Sequence, residues 1–196
     1  MENANKFQGK YRIPSARWAA WDYGGNAAYF DTICTAERTQ DFGTIANGKI
    51  DLSLLGESAQ DCWYAIPAHF PFVELGEFVV MPNHVHGIVV INKHVTVETQ
   101  YFASLQRGAP KNKFGPQSQN LASVIRGYKI GVTQFARLNN IPFTWQARYH
   151  DHVIRSAEEH ALIQRYILNN LLTWEKDPVF SQIPVMGNSL SDTEQR

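Results

Sequence analysis

His84 and His86 flank a single valine in the segment Met81-Pro82-Asn83-His84-Val85-His86-Gly87-Ile88-Val89. Side chains of a strand alternate between faces, so both histidines point one way and Val85 the other. Their Cα atoms then stand about 6–7 Å apart, close enough for two imidazoles to converge on one divalent ion. The competing reading is a pair of ordinary half-buried histidines. A second segment, Trp145-Gln146-Ala147-Arg148-Tyr149-His150-Asp151-His152-Val153-Ile154-Arg155, interleaves aromatic and basic residues. Guanidinium groups suit phosphates, and aromatic faces suit unstacked bases. Trp145, Arg148, Tyr149, His150, His152 and Arg155 are therefore candidates for a nucleic-acid groove, with Arg126 and Lys129 as outer phosphate contacts. For each of them a surface charge or a core aromatic is the alternative.

Three tyrosines have neighbours that invite a chemical role. Tyr128 shares an apolar stripe with Leu121, Val124, Ile125, Val132 and Phe135, which favours the core. Tyr149 opens a β-rich run, where tyrosine is common for structural reasons. Tyr166 has Asn170 four residues on, so a helix presents the two on one face. Packing beside Ile163 and Ile167 is its alternative role.

Elements that could position these residues follow from periodicity and punctuation. Ala28–Thr35 is rich in β-branched and aromatic residues and predicts a first strand. Asn47-Gly48 between short apolar flanks predicts a two-residue hairpin. Leu55, Ala59, Cys62, Trp63 and Ile66 recur at helical spacing, predicting a helix over about 52–66 that Pro67 stops. Strands are expected over Phe72–Val80 and Val85–Asn92, then a long polar connection over 94–119, and a second helix from Leu121 to near Asn139. Tyr149–Ile154 predicts a strand, and Ser156-Ala157-Glu158-Glu159 has the capping-box pattern that opens a third helix. Strands joined by tight turns pair antiparallel with helices covering the sheet, so the expected class is α+β. Residues 1–25 read as a basic, aromatic arm, 26–178 as one domain and 179–196 as a tail.

The 196 residues carry 18 basic and 18 acidic side chains, a balance that hides an asymmetry. Between Arg107 and Arg165 nine basic residues face three acidic ones, which suits a phosphate-binding surface. The apolar runs are strand-length, short of the roughly 18 residues a membrane helix needs. With no apolar core near the start, a cytoplasmic protein without a membrane partner is expected. Cys34 and Cys62 lack metal-site spacing and read as buried thiols.

Four motifs, in order, carry a resemblance that covers residues from about 20 to 176. Met81-Pro82-Asn83-His84-Val85-His86 resembles the His-hydrophobe-His motif of HUH endonucleases in its single-tyrosine transposase form. Leu121–Lys129 resembles the helix after that family's long loop, Trp145–Arg155 its Trp-Gln…Tyr-x-Asp-His-x-Ile-Arg segment, and Arg165–Asn170 its Arg-Tyr-Ile-x-x-Asn stretch. The nearest subgroup is the REP-associated tyrosine transposases. The resemblance implies a ferredoxin-like antiparallel sheet backed by helices, Tyr166 as the catalytic nucleophile, and His84, His86 and Asn170 around Mg²⁺ or Mn²⁺. Mn²⁺ tolerates imidazole better than Mg²⁺ does. Insertion-sequence members often carry Gln at the Asn170 position. The shorter Asn leaves open whether it ligates directly or through water.

That chemistry has its own logic. Strand breakage by transesterification needs a nucleophile, a polarised phosphate and donors that hold the backbone. The expected activity is metal-dependent cleavage and rejoining of DNA through a 5′-phosphotyrosine. The expected partners are single-stranded or hairpin DNA, with a homodimer as an open alternative to the monomer. The rivals are a DNA-binding protein derived from a transposase but without catalysis, and a metal-dependent hydrolase without a covalent intermediate.

Overall fold

A computed structural model describes residues 21–93 and 118–174. The expected tail, nearly all of the arm and most of the long connection lie outside the described residues. The elements run β1 (Ala27–Cys34), β2 (Gly43–Ala46), β3 (Lys49–Leu52), α1 (Leu54–Tyr64), α2 (Ile66–His69), β4 (Val73–Met81), β5 (His84–Ile91), α3 (Leu121–Leu138), β6 (His150–Ile154) and α4 (Ala157–Thr173). Four strands form one antiparallel sheet in the order β4-β5-β1-β6, and β2 with β3 forms a separate hairpin. Setting that hairpin and α2 aside, the succession β1-α1-β4-β5-α3-β6 with β1 and β5 central is the ferredoxin-like arrangement, to which α4 is added.

Local chemistry explains most of the boundaries. Asn47 and Gly48 both take positive φ, 54° and 69°, as a primed hairpin turn requires. Ser53 caps α1 by accepting from the Gly56 amide at 3.1 Å. Pro67 does not end the helical region: it stands in the first turn of the short α2, where its missing N–H costs no hydrogen bond. Ser156 caps α4 as the pattern predicted, accepting from Glu159 N at 3.1 Å. The reciprocal half of the box is different. Glu159 reaches one residue further back, accepting from Arg155 N and from His152 Nε2, each at 2.7 Å.

The sheet has two unlike faces. On one, Tyr29 and Ile33 of β1, Val85 and Val89 of β5 and Val153 of β6 join Leu55, Ala59 and Trp63 of α1 and Val124, Tyr128 and Val132 of α3 in the main core. Gly87 lets that core close, since a Cβ there would collide with the Trp63 indole. On the other face a smaller cluster, Phe30, Ile88, Ile163 and Ile167, seats α4, with Tyr166 packed against it. The alternation of β5 therefore sends Val85 and Val89 into the main core and His84 and His86 toward α4.

Candidate active site

Register brings the histidines to their neighbours. Cys34 pairs with His84, and Thr32 pairs with His86 on one side and His150 on the other. Both imidazoles are buried, at 0% and 2% exposure. Their rings meet at 4.4 Å between centroids, and their Nε2 atoms stand 2.9 Å apart. His84 Nδ1 lies 2.7 Å from Asn83 Oδ1, and His86 Nδ1 lies 2.8 Å from Thr32 Oγ1.

α4 closes the site from above. Tyr166 Oη stands 3.3 Å from His86 Nε2, and its ring meets those of His86 and Phe30 edge-on. Two turns along the helix, Trp174 approaches His84 at 6.1 Å between ring centroids. Asn170 lies midway between these two on the same helical face. Its side chain is fully buried, and neither its Oδ1 nor its Nδ2 has a hydrogen-bond partner. A buried amide with both ends unmet costs a few kcal/mol unless a ligand completes it.

The donor set fits a divalent cation. Burial, with the Arg38 charge adding to it, pulls His84 down to about 3, and burial with His84 and His150 nearby pulls His86 well below its usual value. Both imidazoles are therefore neutral at neutral pH, the state in which imidazole ligates. Two nitrogens 2.9 Å apart match adjacent ligands on an ion about 2.1 Å from each. Asn170 would add an amide oxygen. Among the described residues no group of three or more His, Cys, Asp or Glu side chains is placed to hold a metal ion, so the set here rests on the two imidazoles and the Asn170 amide.

The eight candidate nucleic-acid residues are not gathered into one groove. His150 and His152 share the α4 face of the sheet, His150 beside Thr32 and His152 hydrogen-bonded to Glu159. Arg148 and Arg155 are exposed, and Arg148 takes a left-handed φ of 72°. Trp145 and Tyr149 instead pack against the main core on the opposite face. The Trp145 ring meets Phe42, Phe143 and Tyr128, and its Nε1 donates to Lys129 O at 3.1 Å. That indole is committed to packing, which corrects the expectation of a base-stacking platform there. Lys129 is committed too, its Nζ donating to the carbonyls of Gln146 and Arg148 at 2.9 and 2.8 Å. Arg126 is exposed on α3, in the layer across the sheet from Tyr166. Thr32 contacts His86 and Asn83 contacts His84: Asn83 adjoins its histidine in sequence, whereas the place of Thr32 exists only in the pairing.

This antiparallel sheet with its backing helices is an α+β fold that the chain shares with a solved transposase. A solved REP-associated tyrosine transposase bound to a REP hairpin superposes with a TM-score of 0.54 at 17% identity, covering 82% of this chain and 74% of that one. No protein-family model matches the chain. An uncharacterized protein of Haemophilus influenzae is 38% identical over 167 residues, 85% of this chain and 92% of the relative, and the chain belongs to one family with it.

Proposed function

We propose that this chain is a metal-dependent single-tyrosine DNA endonuclease and transposase, cleaving and rejoining DNA strands through a 5′-phosphotyrosine. The observation that carries the proposal is Tyr166 Oη standing 3.3 Å from His86 Nε2, within a buried pair of neutral imidazoles and beside an unmet Asn170 amide. A bound Mg²⁺ or Mn²⁺ would polarise the scissile phosphate and offset its charge. Tyr166 supplies the attacking oxygen. Its Oη gives up its proton and forms the bond to phosphorus, the bond to the 3′-oxygen breaks, and that oxygen takes up one proton in turn and leaves as a hydroxyl. A phosphodiester replaces a phosphodiester, so a second strand end can reverse the step. α4, packed through Ile163 and Ile167, holds the tyrosine over the sheet, and Phe30 supports both the tyrosine and His86.

The substrate we propose is the single-stranded flank of a DNA hairpin. The similar solved transposase is bound to a REP hairpin, and His150 and His152 border the site on its open strand. Tyr166 and the histidine pair meet within one chain, so a single copy contains them all.

The test is a denaturing gel of the chain incubated with end-labelled hairpins bearing single-stranded flanks, in Mn²⁺ or Mg²⁺. A covalent protein–DNA band that chelator removes and Tyr166→Phe abolishes is the expected result. Binding without any adduct would favour a DNA-binding protein instead, and cleavage without an adduct a hydrolase.

A further inference from the structure

The two histidines differ in what stands behind them. Asn83 is fixed through its main-chain carbonyl, which accepts from the Thr35 amide at 3.0 Å. Its side-chain Nδ2 donates to Arg38 O at 3.3 Å, which leaves Oδ1 for His84 Nδ1 at 2.7 Å. An amide oxygen only accepts, so the proton must be on His84 Nδ1. A neutral His84 then presents a bare Nε2 lone pair. The 2.9 Å contact between the Nε2 atoms needs one proton, and His86 Nε2–H donates it to His84. His86 Nδ1 is left as an acceptor, and the Thr32 hydroxyl 2.8 Å away donates to it.

We infer that Asn83 and Thr32 are positioning residues that set the tautomers of the imidazole pair, Asn83 fixing His84 as a ready ligand and Thr32 letting His86 exchange tautomer when a cation arrives. This rests on the metal reading of the site. For His86 to offer Nε2 to a cation, the proton leaves Nε2 and one is taken up at Nδ1, with no net change of charge. Thr32 Oγ1 then accepts where it donated before. A hydroxyl serves both states because it donates and accepts, whereas an amide oxygen in the place of Thr32 would lock one. Thr32 is buried at 1% exposure, so bulk water is kept from substituting for it.

Long-range proton–nitrogen correlation spectra of the full chain, labelled with ¹⁵N-histidine and treated with chelator, read the tautomers without any cleavage assay. The metal-free chain should show His84 protonated on Nδ1 and His86 on Nε2, and Zn²⁺, a diamagnetic probe, should move the His86 proton to Nδ1. Mn²⁺ affinity should fall roughly 10–100-fold in Thr32→Val and in Asn83→Ala. It should return to within about threefold of wild type in Thr32→Ser and Asn83→Asp, which keep the hydroxyl and the acceptor. Wild-type His84 protonated on Nε2 in the metal-free spectrum, or unchanged Mn²⁺ affinity in Thr32→Val, would overturn the inference. Wild type that binds no divalent ion overturns the metal reading and the His86 exchange with it. The metal-free tautomers still decide the roles of Asn83 and Thr32 separately.

Discussion

At the scale of single residues the proposed cation site sets folding stability against ligand binding. Asn170 is buried with its amide unmet, so Asn170→Leu, of similar volume, should leave the metal-free fold as stable or more stable by about 1 kcal/mol. The same variant should bind Mn²⁺ more weakly. Urea unfolding in chelator beside Mn²⁺ titration checks both, and a strong loss of metal-free stability would show that the amide is satisfied after all. Tyr166→Phe should abolish the covalent adduct while changing stability by about 1 kcal/mol, the net worth of an ordinary hydroxyl hydrogen bond such as the 3.3 Å contact to His86. The histidines also set a pH dependence. Their folded values lie below the unfolded value near 6.5, His84 at about 3, so the unfolded chain takes up protons that the folded chain refuses. Stability should therefore be level above pH 7 and fall below about 6.5, by roughly 1.4 kcal/mol per pH unit per histidine. Unfolding measured at pH 7 and pH 5 should show that loss in wild type and a smaller one in His84→Gln/His86→Gln.

At the scale of elements, α4 is the part most exposed to adjustment. It is seated by the small cluster of Phe30, Ile88, Ile163 and Ile167, with Val79, Val90, Ile154 and Tyr166 packed against it, and its outer face carries the exposed Leu168 and Leu172. Its first turn is secured by Ser156 and by the Glu159 carboxylate, which burial would raise but the Arg155 amide and His152 hold below its usual value. Ser156→Ala should cost about 1 kcal/mol and fray the turn that precedes Tyr166. Hydrogen exchange of the first α4 amides is the sensitive measurement, and protection equal to wild type would remove the cap from the account. β5 is constrained from its other side. Gly87→Ala forces a methyl group into the Trp63 indole and should destabilise by about 1–3 kcal/mol, although His84 and His86 on the same strand face away from it.

At the scale of the whole molecule the sheet divides labour between its faces. One face holds the main core under α1 and α3, and the other holds the histidines under α4. No helix among the described residues is long and apolar enough to cross a membrane. On the proposed function a substrate strand that reaches Tyr166 would run along the α4 side, so charges there should matter more than charges on α3. Arg126→Glu should leave hairpin affinity within about threefold of wild type, whereas Arg155→Glu beside β6 should weaken it and flatten its salt dependence, since each phosphate contact releases counterion. Equal losses from both variants in binding titrations at several salt concentrations would show a DNA path that wraps both layers.

Much of this was legible before any tertiary structure, because it depends on near neighbours in the chain. Period-two alternation placed His84 and His86 on one face, Asn47-Gly48 marked a turn, Ser156 marked the start of α4, and the 3.6-residue turn aligned Tyr166 with Asn170. Pairing and packing decided the rest. Thr32 meets His86 across 54 residues of sequence, and Tyr166 meets it across 80, so neither contact leaves a trace in any local pattern. Trp145 shows the same limit in reverse: a tryptophan among basic residues reads as a base platform until the fold supplies Phe42, Phe143 and the Lys129 carbonyl to occupy it. Local periodicity determines which side of an element a residue is on. What stands opposite that side is set by strand register and helix packing, which answer to the burial of the whole chain.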